Sequence, residues 1–204
     1  MPESGNFLHG SFVLEGDGLS GGQASEALER LIREYGDRAF QFAFRLSGNV
    51  EESKDLVQDA FFRVLRSWGS YDAARSLDAW FFRILRNVFL DARKKYETLH
   101  GVSLDAGPAG VAEEDLTYGD LLPDGEAAFL DALERSESIE KVQRTLAALS
   151  YEHRVVLSLC DMDGLNYEEI SKVLDIPIGT VRSRVSRARI AFKRRLAVRL
   201  GGRG

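Results

Sequence analysis

The chain has 204 residues, 44% hydrophobic and 29% charged, with a formal net charge of −5. That is enough for one ordinary domain or two small ones, and the balance excludes a chain disordered throughout. No apolar run exceeds four residues (Ala79 to Phe82 is one), and the opening MPESGNFLHG lacks the positive cluster and apolar core of a secretory signal, so membrane insertion and export are not expected.

Residues 1–24 are glycine-rich and show no sustained periodicity, and read as a leader. Periodicity then begins. Leu28, Leu31, Ile32, Tyr35, Phe42 and Leu46 recur at three- and four-residue steps and predict one helical stripe. Gly48 and Asn49 break it, and Asn49 with Glu52 has the spacing of a capping box for the next helix. That helix carries Leu56, Val57, Ala60, Phe61, Val64, Leu65 and Trp68. After a loop from Gly69 to Ser76, a third stripe holds Leu77, Trp80, Phe81, Ile84, Leu85, Val88, Phe89 and Ala92, and closes on Arg93, Lys94 and Lys95, which suit a helix C-terminus. Three amphipathic helices on short connections predict a compact bundle over 25–96.

Composition then changes. From Glu97 to Glu140 there are twelve acidic residues and one basic, Arg135, with Pro108 and Pro123 among them, so 97–135 reads as an acidic linker. Periodicity resumes over 136–200. Ile139, Val142, Leu146 and Leu149 predict one helix, and Val155, Val156, Leu159 and Cys160 a second. Asp163-Gly164 turns the chain, Asn166 and Glu169 repeat the capping-box spacing before Ile170, Val173 and Leu174, and Asp175-Ile176-Pro177 stops that helix. A last helix runs from near Gly179 toward Leu200. Nothing alternates at period two, so the expected fold class is all-α, two small helical domains joined by a long acidic linker.

The segment Tyr167 to Phe192 reads as helix, tight turn, helix. At about 100° per residue, Val181, Val185, Ala188 and Phe192 share one narrow sector that must face a core. The opposite sector presents Ser183, Ser186, Arg187, Ile190 and Arg194, and eight basic residues with no acidic one fall between Ile178 and Arg199. Small polar and Arg side chains near the start of a second helix suit entry into a DNA major groove, where Arg pairs bidentately with guanine and Ser or Thr bonds bases or phosphates.

At this point the chain resembles a family. YEEISKVLDIPIGTVRSRVSRARIAFKRRL is similar to region four of bacterial RNA polymerase sigma factors, the helix-turn-helix module that reads the −35 promoter element. Gly179 to Arg189 is close to the pattern of the extracytoplasmic-function (ECF) group. DLVQDAFFRVLRSW (Asp55 to Trp68) and LDAWFFRILRNVFLDARKK (Leu77 to Lys95) resemble region two, which binds the polymerase and opens the −10 element. The resemblance covers roughly 25–96 and 136–200 and implies a sigma factor directing promoter-specific transcription, in a stress or envelope response under an anti-sigma factor. Its implied partners are core RNA polymerase, through clamp and flap regions, and promoter DNA.

The same resemblance implies residue roles. Asp55, Gln58 and Asp59 match the helix face that docks on the clamp of the largest polymerase subunit. Asn87 matches a residue reading a −10 base, with Arg83, Arg86 and Lys94 nearby for phosphates. Tyr71, Asp72 and Arg75 lie where ECF factors capture an extruded −10 base. Thr180, Arg182, Ser183, Ser186 and Arg187 match groove-reading positions, and Tyr167 a phosphate contact. The paired tryptophans of primary sigma factors are replaced by Trp80-Phe81, both of which helical phase assigns to the apolar stripe. The acidic linker is expected to thread a positively lined polymerase channel, as nucleic-acid mimic or simple tether.

Three other classes compete, and the basic C-terminal helix argues against one of them, an interaction protein using its helical surface only. An enzyme would need a catalytic pair, and Cys160 with His153 is the only nucleophile–base candidate. Seven residues on one helix separate them by roughly 10 Å, too far for a hydrogen bond. No phosphate loop, dinucleotide fingerprint or metal-ligand cluster appears, so neither catalysis nor a cofactor or metal is expected. A helix-turn-helix repressor or activator stays open, since it would bind duplex DNA unaided. The lone Cys160 leaves no internal disulfide, and a cytoplasmic location is expected.

Overall fold

In a computed structural model of the chain, residues 21–72, 74–100 and 139–201 are described; most of the leader and most of the acidic linker lie outside them. The helices are α1 (Gly21–Ser47), α2 (Val50–Ser67), α3 (Leu77–His100), α4 (139–147), α5 (Tyr151–Leu157), α6 (Tyr167–Leu174) and α7 (Ile178–Gly201). A 3-10 turn, Trp68–Ser70, follows α2, and a π turn, Ser158–Met162, extends α5. No strand occurs among the described residues, and none of their helices is long and apolar enough to cross a membrane.

Helices α1, α2 and α3 form the first module. Gly48 adopts φ +72°, which a glycine reaches without steric cost, and reverses the chain after α1. Asn49 then caps α2, its Oδ1 accepting from the Glu52 N–H at 2.9 Å. The capping box closes on one side only. The Asn49 N–H donates to Ser47 Oγ, and the Glu52 carboxylate turns to Arg93, 4.0 Å away. Burial pushes the Glu52 carboxyl up, and the Arg93 charge opposes it.

The core of this module is aromatic. Phe42, Phe81 and Phe82 are fully buried, Tyr35 and Phe89 nearly so. Phe82 stands edge-on to Phe42 and to Phe81, and Phe61 packs on Phe81 with ring centroids 5.5 Å apart. One expected stripe residue stays outside: Ile32 is 47% exposed. It lies against Gly36, whose missing side chain leaves it uncovered on that side. Helix α3 runs past Lys95 to His100, since no Gly or Pro intervenes before Gly101.

Helices α4 to α7 form the second module around Leu146, Leu159, Ile170, Val173, Val181, Val185 and Ala188. Asn166 caps α6 with a complete box: its Oδ1 accepts from the Glu169 N–H, and Glu169 Oε2 accepts from the Asn166 N–H, each at 2.9 Å. Asp175 ends α6 in the left-handed region (φ +56°), and Pro177 starts α7, its carbonyl accepting from the Thr180 and Val181 N–H groups.

The two modules do not stand apart. Their buried residues form one continuous cluster, with α6 packed on α3 and α5 on α1. Periodicity could locate each module's apolar face. It gave no sign that charged side chains would be buried where the modules meet.

Candidate nucleic-acid interface

The outward face of α2 carries Asp55, Gln58 and Asp59, all exposed. At about 100° per residue they span one arc, and Phe62 falls inside it. Phe62 is 56% exposed, so a large apolar ring sits beside two carboxylates on one open face. Sequence reasoning placed Phe61 in the core and passed over its neighbour. Helical phase was the available signal, since it sets Phe62 in the arc of Asp55, Gln58 and Asp59, away from the buried Leu56, Ala60 and Val64.

The loop after α2 is built around three rings. Tyr71 packs on Trp80 at 4.9 Å and on Trp68 at 5.7 Å, and Trp68 stands edge-on to Trp80 at 5.8 Å. Phe81 is core, as expected, but Trp80 is half-buried and forms a wall of this cluster. The Tyr71 hydroxyl donates to the Arg75 carbonyl, Asp72 Oδ1 accepts from the Ala74 N–H, and Arg75 pairs with Asp72 at 3.2 Å. Tyr71, Asp72 and Arg75 therefore hold one another in a turn rim. Burial raises the Tyr71 hydroxyl pKa, and the Asp72 and Asp78 charges add to that.

On α3, Arg83, Asn87 and Lys94 are exposed, and helical phase sets them within about 40° of one another. Arg86 points elsewhere. Its Nε is buried without a partner, its Nη1 reaches Asn87 Oδ1 at 3.4 Å, and its charge opposes the upward effect of burial on the Tyr151 hydroxyl of α5. A groove between α2 and α3 is lined by Arg63, Arg66, Ser67, Ile84 and Asn87. Arg63 pairs with Asp91 at 2.6 Å. Sequence reasoning missed Arg63 and Arg66, because spacing within α3 says nothing about which side chains of α2 stand beside it.

Helix α7 is anchored by Val181, Val185 and Ala188, each at most 1% exposed. Arg182, Ser183, Ser186 and Arg187 face outward, and Thr180 and Tyr167 are half-buried at the starts of α7 and α6. Arg187 lies back along its own helix, Nε donating to the Ser183 carbonyl at 3.2 Å and Nη2 to Ser183 Oγ at 3.3 Å. Two of the eight basic residues are compensated from the module's inner helices: Arg184 pairs with Glu152 at 3.1 Å and Arg189 with both oxygens of Asp161. The Arg189 hydrogen bond holds the Asp161 carboxyl below its usual range. Arg182, Arg187, Lys193, Arg194 and Arg195 have no acidic partner among the described residues, leaving a one-sided cationic surface.

Residues 31–98 match the model of sigma-70 region 2, and residues 139–192 that of sigma-70 region 4. The chain is 34% identical over 173 residues to the ECF RNA polymerase sigma factor SigW of Bacillus subtilis, covering 84% of this chain and 89% of that protein. It is also 34% identical over 174 residues to the ECF sigma factor SigE of Mycolicibacterium smegmatis, matching 85% of this chain and spanning 63% of the length of that relative. Among solved structures it is similar to the sigma factor RpoE of Bartonella quintana, crystallised with the anti-sigma factor NepR, at a TM-score of 0.64 and 26% identity over 85% of this chain and 98% of that one. The chain belongs to the ECF group of RNA polymerase sigma factors, which are transcription initiation factors and not enzymes.

Proposed function

We propose that the chain docks on core RNA polymerase and directs it to promoters by reading two elements with two different helices. The open face of α2, with Asp55, Gln58 and Asp59 around Phe62, is the clamp-docking surface. Its carboxylates would meet basic groups and its ring an apolar hollow. Asn87 reads a −10 base, Arg83 and Lys94 hold phosphates on the same face, and Arg86 sits at the margin of that face. Arg63 and Arg66 add positive charge along the groove beside Asn87. The ring cluster at Tyr71, braced by Asp72 and Arg75, offers a stacking surface for an extruded base. Helix α7 enters the −35 major groove with Thr180, Arg182, Ser183, Ser186 and Arg187, while Tyr167 takes a phosphate.

The observation that carries this reading is the outward face of α7, where a buried Val-Val-Ala line holds uncompensated Arg side chains toward solvent. The modules so used correspond to 25–96 and 136–200, with the acidic linker between them and flap contacts made by the second. Control by an anti-sigma factor fits the complex in which the RpoE relative was crystallised. Action on promoters supports a cytoplasmic location.

Run-off transcription with purified core polymerase tests the reading: specific transcripts should depend on both chain and core, whereas unaided binding to duplex DNA would favour a repressor. Arg187→Ala should lower transcription from a −35-dependent promoter by about 1–3 kcal/mol of discrimination, roughly 5- to 150-fold. Asn87→Ala should change preference among −10 variants more than overall output, and a uniform loss across variants would remove it from base reading.

A further inference from the structure

We propose that Arg63 of α2 reads a guanine of the −10 strand beside Asn87, and that Asp91 of α3 is the residue that positions it. This rests on the −10 role given above to the outward face of α3. On that face Arg83, Asn87 and Lys94 are exposed, and Asp91 falls about 40° from Asn87, one turn further along the helix. Among the described residues, Asp91 is the one acidic side chain at an exposed position of α3. A carboxylate there repels the phosphates that the neighbouring cations attract, so it weakens a plain electrostatic grip. What it does instead is hold an arginine. Arg63 Nη1 donates to Asp91 Oδ2 at 2.6 Å, a short charge-assisted bond joining α2 to α3 beside the groove that Arg63 and Asn87 line together.

The pair is open to solvent, with side chains 46% and 62% exposed, so it contributes little to folding. Its effect is on orientation. Arg66, Arg83 and Lys94 have no acidic partner among the described residues and can follow a phosphate wherever the backbone runs. Arg63 is held. Only its Nη1 is engaged, so Nε and Nη2, which share one edge of the guanidinium, keep their donors free of any other hydrogen bond among the described residues. Two parallel N–H donors match the O6 and N7 acceptors of guanine, and no other base offers two acceptors on that edge. Paired phosphate oxygens have similar chemistry. The groove favours the base: Ile84 gives it an apolar wall for a ring face, and the Asn87 amide stands ready for a neighbouring edge. Fixing the fork before the base arrives removes its ordering cost from the binding step, so a tethered guanidinium discriminates better than a free one.

The test uses holoenzyme assembled from the chain and purified core polymerase, on templates carrying each of the four bases at every −10 position. Run-off transcripts are compared as ratios between templates, which do not depend on the folded fraction. At one position guanine should be favoured, and Arg63→Lys should reduce that preference by roughly 5- to 150-fold. Asp91→Asn should narrow the preference at the same position by roughly 2- to 12-fold, and Asp91→Glu should restore most of it. Neither change should alter the ratios in an Arg63→Ala background. Replacing that guanine with 7-deazaguanine, which lacks the N7 acceptor, should lower output with the unsubstituted protein and spare Arg63→Ala. A uniform loss across templates on Arg63→Ala, with a salt slope shallower by about one, makes Arg63 a phosphate contact and overturns the proposal. So does an Asp91→Asn preference equal to that of the unsubstituted protein, or a −10 preference that includes no guanine. Transcription by the unsubstituted protein that ignores every −10 base overturns the −10 role of the α3 face instead.

Discussion

The two modules solve the same problem, holding a reading helix rigid, with different materials. The first buries Tyr35, Phe42, Phe61, Phe81, Phe82 and Phe89, each ring bringing a large apolar area to a three-helix bundle. The second, among described residues, buries only Leu, Val, Ile and Ala as its apolar core, on three short helices and the long α7, and leaves Tyr151, Tyr167 and Phe192 half-exposed. It makes up the difference with polar devices: the complete capping box at Asn166, and Arg154, which gathers carbonyls from both modules. On the proposed reading, the large core underlies the module that would open DNA, and the small, tightly capped one underlies a helix that would only enter a groove.

The largest test of this contrast is Phe81→Ala. It should cost about 3–5 kcal/mol, read as a lower midpoint in urea unfolding followed by circular dichroism. The contrast breaks if Ile170→Ala, expected near the lower end of about 2–5 kcal/mol, costs more. Next comes Arg154→Met, which fills similar space but strips the Leu46, Leu146, Ala147 and Leu149 carbonyls of a donor. A loss of about 1–3 kcal/mol in the same unfolding experiment is expected, and an unchanged midpoint would show that the second module does not need this guanidinium. Burial and the Arg93 charge already lower the Arg154 pKa to about 10, so the group stays charged at neutral pH. Asn166→Ala should cost about 1 kcal/mol through the loss of the α6 cap, and Asn166→Asp much less. The smallest effect concerns Cys160. Burial, with Asp161 adding, pushes its thiol up, so alkylation by iodoacetamide at pH 7.5 should be slower than for an exposed cysteine, and Cys160→Ser should leave transcription unchanged.

Much of this architecture was legible from periodicity. The lines Leu31–Tyr35–Phe42–Leu46 and Val181–Val185–Ala188 are buried, and Asn166 with Glu169 forms the box its spacing implied. On the candidate face, Ser183, Ser186 and Arg187 point outward because the opposite sector is apolar, a property of one helix and so readable in one segment. What stayed hidden depends on two segments at once. Arg45 and Arg154 sit in helices whose pattern turns charge toward water, and only a partner distant in sequence, Asp163 or the Leu46 carbonyl, makes their burial tolerable. Arg63 and Arg66 join Asn87 for the same reason: the groove exists only once α2 lies beside α3.

The ring cluster at the junction of α2 and α3 has a spectroscopic consequence. The chain contains two tryptophans, Trp68 and Trp80, and they touch each other there. Its native ultraviolet emission therefore originates almost wholly at one spot, the surface proposed above to receive an unstacked base. A quench or spectral shift on adding single-stranded −10 oligonucleotide would report occupancy there with no label attached.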